Sequence, residues 1–460
     1  MRKKLLGFLA LGLLGAVSAT AQGRTSVAAP SASYRLAPFG AVHVDRPAGA
    51  PQGVVIFLSD SPTAAPIARG LSQRGLLVAT VSAATLLKTV QAWHQRCLNL
   101  NAPINDLSKD LQHRAGIEAY LKPVLIGQGM GAALTYAALS QWPNAPYRGV
   151  ISIGFTPQVI SASPWCATGG ASFARVGQTA RWSLKPNRQI GVPWLVMGTA
   201  AQVGRTQSFV RAVPGANQRT LPSAAQAWPK AIADATMALL PRDQPRPPAG
   251  ALPHLTMPLT LVQAAPTPMN RDLMAIIYSG DGGWASIDRD VASQLAAAGI
   301  PVVGVDSLEY FWTARTPAGT GRDLGALIET FSERWARPRV LLIGYSFGAD
   351  ALPFMVDALP PAIRSKIERV SLLGLSSTAD FQFHLSSWLD VGDSGGLPTI
   401  PAITRLRGLA VQCVRGQDEE ESACGKIPQG LAQQYVVPGG HHFDSNAALL
   451  AQIILARKRP

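Results

Sequence analysis

Continuous apolar runs of five or six residues recur along the chain, each followed by apolar positions at helical spacing. In the first half Val54-Val55-Ile56-Phe57-Leu58 ends at Ser59-Asp60-Ser61, and the spacing predicts an amphipathic helix over Ile67 to Gln73. Gly75 then opens a second run, LLVATV. The second half repeats the pattern. Leu273 to Tyr278 ends at Ser279-Gly280-Asp281-Gly282-Gly283-Trp284, a helix is predicted over Ile287 to Ala298, and Gly299 opens IPVVGV. Further on, Pro123-VLIGQGMGAAL parallels Arg339-VLLIGYSFGADAL. Runs apolar on both faces, alternating with helices, predict parallel strands covered on both sides. The corresponding positions lie 218 to 224 residues apart, so the chain reads as an internal duplication of an open α/β domain.

Residues 241–258 hold six prolines in eighteen positions. Such a stretch carries neither a helix nor a central strand and reads as a linker. It separates domains at 22–240 and 259–460, each about 200 residues and large enough for its own core. Residues 1–21 read as a secretory signal peptide: Arg2, Lys3 and Lys4, an apolar run from Leu5 to about Val17, and Ala19-Thr20-Ala21 as a cleavage site. The run is shorter than a membrane span. Export makes disulfides the expected state of the four cysteines, most simply as Cys97–Cys166 and Cys413–Cys424. No C-x-x-C occurs and His is sparse, so neither a metal site nor a cofactor is expected.

The clearest chemistry lies in the second half. Gly344-Tyr345-Ser346-Phe347-Gly348 follows the strand-like Val340 to Ile343 and precedes a helical pattern, the context of a nucleophile elbow. Ser346 is the expected nucleophile. A base is expected on a loop after the last strand, and Gly439-Gly440-His441-His442 follows Gln434 to Val437. His441 is preferred and His442 stays open; His384, in an aromatic-bearing insertion, reads as structural or substrate-lining. The acid is expected just after the strand within Gly408-LAVQCV, where Asp418 comes first, with Glu419 or Glu420 as substitutes. A Cys413–Cys424 bridge would pin that loop. The oxyanion donors are expected at Phe347 and in the Gly280, Asp281, Gly282 loop. That loop is followed by no Walker lysine, which argues against a phosphate cradle. Asp281, Asp350 and Glu419 to Glu421 are candidates to receive a substrate ammonium. Trp284 and Trp388 read as core rather than acyl-chain cover. In the first half Gln128 falls where Ser346 would be, Pro193-WLVMGTA ends without an acid, and Pro214 to Gln218 offers no His. That half is expected to be catalytically inert.

SGDGGW, GYSFGAD, the Cys-bracketed QDEEESAC and PGGHHFD occur together, and in this the sequence resembles the VirJ/AcvB family of bacterial virulence-associated proteins. The resemblance implies two tandem α/β-hydrolase-like domains in the periplasm, the first degenerate and the second catalytic. It also implies hydrolysis of aminoacyl-phosphatidylglycerol, with lysyl or alanyl as the acyl group, by Ser346, Asp418 and the histidine of the GGHH motif, His441 or His442. The competing readings are a non-catalytic adaptor for secretion-system proteins and a general carboxylesterase.

Composition adds one distinction. With 47% apolar and 15% charged residues among 460, the chain is not of the disordered class. Its net charge of +14 divides unevenly, with residues 22–258 at +14 and residues 259–460 at −3. For an exported protein this points away from nucleic acid and toward peripheral contact between the first half and an anionic membrane surface.

Overall fold

A computed structural model describes residues 31–240 and 257–456, apart from residues 94, 266, 268, 269 and 384–395. The proposed signal peptide, nearly all of the proline-rich linker, His384 and Trp388 lie outside the described residues.

The first half contains β1 (Ala32–Leu36), β2 (Gly40–Asp45), β3 (Gly53–Leu58), β4 (Leu76–Val81), β5 (Val124–Gln128) and β6 (Gly149–Ile153). Next come the short β7 (Gln158–Ile160), β8 (Phe173–Arg175) and β9 (Arg181–Leu184), and then β10 (Trp194–Gly198) and β11 (Asn217–Thr220). The main sheet runs β1-β2-β4-β3-β5-β6-β10-β11. In the second half β12 (Leu259–Val262), β13 (Leu273–Tyr278), β14 (Val302–Val305), β15 (Arg339–Tyr345) and β16 (Ile367–Leu373) precede a two-residue pair, β17 (Thr378–Ala379) and β18 (Leu397–Pro398). β19 (Val411–Gly416) and β20 (Gln433–Val437) complete a sheet ordered β12-β14-β13-β15-β16-β19-β20.

The two orders superimpose strand for strand once the extra β1 is set aside. In each, the outer strand (β2 or β12) runs antiparallel to its neighbour and the remaining neighbours run parallel. This is the α/β-hydrolase arrangement, present twice. The apolar runs follow from it: β3 is buried at all six positions, because helices cover both faces of the sheet. Each half accordingly has two apolar clusters, one per face.

Cys97–Cys166 and Cys413–Cys424 are disulfide-bonded, which fits an oxidising compartment. Among the described residues no helix is long and apolar enough to cross a membrane. The apolar patterning did not foretell the separate sheet β7-β9-β8, whose strands are only three or four residues long.

The halves also meet. Trp312 Nε1 donates to Ile117 O at 2.7 Å, and the Trp312 ring stacks on His113 at 4.0 Å. Lys122 Nζ lies 3.4 Å from Asp306 Oδ2 and 3.2 Å from Glu309 Oε1.

Candidate active site

β15 ends at a turn that two glycines make possible. A Cβ on Gly344 would lie 2.4 Å from Gly348 O, and one on Gly348 would lie 2.3 Å from Tyr278 O. The strand and the helix Phe347–Asp357 therefore cross at backbone contact. Between the glycines Ser346 sits at φ 51°, ψ −120°, a strained conformation for a residue with a side chain. Its N–H donates to Leu373 O at 2.8 Å, tying the turn to the end of β16. Phe347 is the first residue of the helix, so its N–H lacks an intrahelical acceptor and is available to an anion.

His441 Nε2 lies 2.8 Å from Ser346 Oγ, and its Nδ1 lies 2.5 Å from Glu419 Oε1. Glu419 is only 11% exposed at its side chain, and its Oε2 accepts the Gly416 N–H at 3.0 Å. The carboxylate is thus fixed at one oxygen by backbone and spends the other on the imidazole. Asp418, the acid expected from the sequence, is exposed and does not reach His441; its N–H donates to Gly439 O at 3.0 Å. The reason is local. β19 runs through Gly416, and the chain then turns, Glu419 N–H donating back to Gly416 O, so the third residue after the strand faces inward and the second faces out. The Cys413–Cys424 bridge spans this turn.

Of the two neighbouring histidines, His441 reaches Ser346, while His442 Nδ1 lies 2.7 Å from Tyr345 Oη. Sequence reasoning missed Gly374, which follows β16 at φ 68°. A Cβ there would lie 2.7 Å from His441 Cε1, so a side chain would displace the imidazole. A glycine ending the strand beside the nucleophile strand is the signal that could have found it.

The glycine loop after β13 reaches the nucleophile. A Cβ on Gly280 would lie 3.3 Å from Ser346 Cβ, and one on Gly282 would lie 3.2 Å from the Trp142 ring of the first half. Between them Asp281 Oδ2 is 3.2 Å from Lys109 Nζ. Partial desolvation works against ionisation of Asp281, yet the Lys109 ammonium, with His441 and His442 beyond it, holds the carboxyl below its ordinary value. Asp350 is buried; desolvation pushes its carboxyl well above the carboxylate range, and its Oδ1 accepts the Ser376 N–H at 2.7 Å. It does not present a free anion. Glu420 and Glu421 are exposed. The Trp284 ring packs on Gly304, as expected of a core residue.

The first half keeps the turn without the group. Gly127 and Gly131 make the same close contacts as Gly344 and Gly348: a Cβ on Gly127 would lie 2.2 Å from Gly131 O, and one on Gly131 would lie 2.0 Å from Leu58 O. The residue between them in the elbow conformation is Gly129, at φ 59°, ψ −118°. Gly129, not Gln128, is therefore the counterpart of Ser346, and Gln128 corresponds to Tyr345; the offset is 217 residues. Gln128 instead ties the adjacent loop, accepting from Ser59 Oγ at 3.0 Å and donating to Thr63 Oγ1 at 2.8 Å. The segment equivalent to the His441 loop follows β11 at Leu221-Pro222-Ser223, later than the Pro214 to Gln218 expected from sequence, and it too lacks a histidine.

Residues 272–459 match the family model described as "Bacterial virulence protein (VirJ)". No curated protein sequence matches the chain. Among solved structures, a thioesterase domain from the curacin biosynthetic pathway is 16% identical, covering 43% of this chain and 94% of its own, at a TM-score of 0.30. Est1E from Butyrivibrio proteoclasticus with bound ferulic acid is 13% identical over 43% of this chain and 92% of its own, at 0.28. LpqC, a poly(3-hydroxybutyrate) depolymerase from Bordetella parapertussis, is 16% identical over 44% and 84%, at 0.30.

Proposed function

From the premise that the second half of the chain belongs to the VirJ family of bacterial virulence proteins, we propose that the protein is a serine ester hydrolase acting on aminoacyl-phosphatidylglycerol. The observation that carries the reading is the relay in which one imidazole lies 2.8 Å from Ser346 Oγ and 2.5 Å from Glu419 Oε1. Nucleophile, orienting acid and base follow one another along the chain as Ser346, Glu419 and His441, the order of this fold. His441 takes the Ser346 proton as Oγ attacks the aminoacyl carbonyl. The Phe347 and Gly280–Gly282 N–H groups receive the oxyanion. His441 then protonates the departing glycerol oxygen, and the same imidazole activates water to release the amino acid and restore Ser346. Asp418, Glu420 and Glu421, exposed on the loop carrying Glu419, are available to the substrate ammonium.

Purified full-length protein, incubated with vesicles containing lysyl- or alanyl-phosphatidylglycerol and separately with p-nitrophenyl butyrate, tests the reading. Release of free amino acid from at least one lipid is expected. Turnover of the p-nitrophenyl ester alone would make it a general carboxylesterase, and no turnover of any ester would favour a non-catalytic adaptor.

A lipid substrate calls for a surface that meets lipid. From residue 119 to residue 233 the chain holds ten Lys or Arg and no Asp or Glu. Arg148, Arg175, Arg181, Arg205, Arg211 and Arg219 in this stretch are all exposed. On the sheet β7-β9-β8, Ile160 pairs with Arg181, and Val176 N–H donates to Arg181 O. The two aliphatic side chains are 62% and 42% exposed, flanking that arginine. Aliphatic tips beside cations suit the boundary between headgroups and acyl chains. Full-length protein is expected to sediment with phosphatidylglycerol vesicles at low salt and to be released by high salt, while phosphatidylcholine vesicles leave it in solution. At about 1 kcal/mol per charge, Arg181→Glu is expected to weaken this binding about 30-fold. Absence of sedimentation at low salt ends the proposal.

A further inference from the structure

Lys109 lies on the first-half helix Asn101–Arg114, and its side chain is 0% exposed. A buried ammonium persists only where anions compensate its lost hydration. Its nearest carboxylate belongs to the other half: Asp281 Oδ2 at 3.2 Å, against 3.9 Å to Asp106 Oδ1. Burial pushes the Asp106 carboxyl up to about 6, with Lys109 opposing and Asp281 adding to the rise, whereas Asp281 stays below its ordinary value. Lys109 Nζ also stands 4.3 Å from the centroid of the Phe383 ring.

The neighbours of this pair matter more than the pair. Asp281 follows Gly280, which lies against Ser346, and precedes Gly282, which lies against Trp142 of the first half. On the other side Phe347 packs on a cluster that joins Tyr120 of the first half to Leu308, Trp312 and Phe383 of the second. Both backbone segments assigned to the oxyanion therefore border contacts with the first half.

We propose that the non-catalytic first half is a working part of the active site, with Lys109 the positioning residue that holds the Gly280–Gly282 loop against Ser346. The inference rests on the ester-hydrolase reading and adds to it a role for the half that lacks a nucleophile. Oxyanion donors act only within a few tenths of an ångström of their place, and a misplacement of about 1 Å costs about 100-fold.

Steady-state hydrolysis of p-nitrophenyl butyrate by the full-length protein provides the test. Lys109→Met is expected to lower kcat about 10- to 100-fold with KM within about twofold, because the loop serves the tetrahedral state rather than substrate binding. Fluorophosphonate labelling of Ser346 is expected to slow in parallel. Asp281→Asn is expected to act alike, and the double variant no worse than the weaker single variant, since all three break one link. Wild-type kcat in folded Lys109→Met, or losses that multiply in the double variant, overturns the inference. If Lys109→Met does not fold, the double variant, which removes the Asp281 carboxylate together with its partner, decides: reduced kcat supports the inference and wild-type kcat overturns it. A wild-type protein that neither hydrolyses the ester nor takes the label defeats the ester-hydrolase reading itself, and this inference with it.

Discussion

Glu419→Gln is expected to lower kcat by about 10³- to 10⁴-fold, while Asp418→Asn leaves it within about twofold. Glu419 reaches His441 Nδ1 and is braced by the Gly416 N–H, so the substitution keeps shape and loses charge. An amide stabilises the imidazolium poorly and can present N–H where an acceptor is needed, favouring the tautomer that leaves Nε2 protonated and unable to take the Ser346 proton. Asp418 is exposed with only its backbone engaged, so its carboxylate does not orient the imidazole, and a p-nitrophenyl ester has no ammonium for it to receive. Kinetics on a p-nitrophenyl ester, with thermal unfolding of each variant to establish folding, separate the two acids. The reverse pattern, with Asp418→Asn inactive and Glu419→Gln active, would overturn the assignment.

At Ser346 two substitutions are expected to diverge in stability while agreeing in activity. Ser346→Ala and Ser346→Gly both remove the nucleophile, and turnover is expected to fall at least about 10⁴-fold in each. Ser346→Ala keeps the strained backbone and leaves the unfolding midpoint nearly unchanged. Ser346→Gly relieves a conformation that costs about 1–3 kcal/mol and adds about 0.5–1 kcal/mol of chain entropy to the unfolded state. A net gain of about 1 kcal/mol is therefore expected, read as a rise in the denaturant midpoint at constant slope. A lower midpoint for Ser346→Gly than for Ser346→Ala would show that the turn holds no such strain.

How much of this the sequence discloses depends on the range over which each feature is determined. Strands buried on both faces write themselves as uninterrupted apolar runs, so β3, β13, β5 and β15 were legible, and with them the duplication. Ser346 was legible because its glycines are required by contacts within one strand–turn–helix unit. Other features depend on geometry that no periodicity encodes. Asp418 and Glu419 differ by one residue, and a single turn decides which faces the imidazole. Three alternating glycines leave the register opposite Ser346 ambiguous by one, between Gln128 and Gly129; the dihedral angles of Gly129 settle it. Lys109 was silent: a lysine among polar helix positions reads as solvated until a second domain closes over it.

The turn at Gly129 separates two things that enzymes of this shape present together. A half with no serine, no acid and no histidine in the matching places still bends its chain through the same angles, because its helix must cross within touching distance of Leu58. The bend is thus a property of how strand and helix are joined, available whether or not chemistry follows. Ser346 occupies a site that the architecture prepares in both halves, and only in the second do a hydroxyl, an imidazole and a carboxylate meet there.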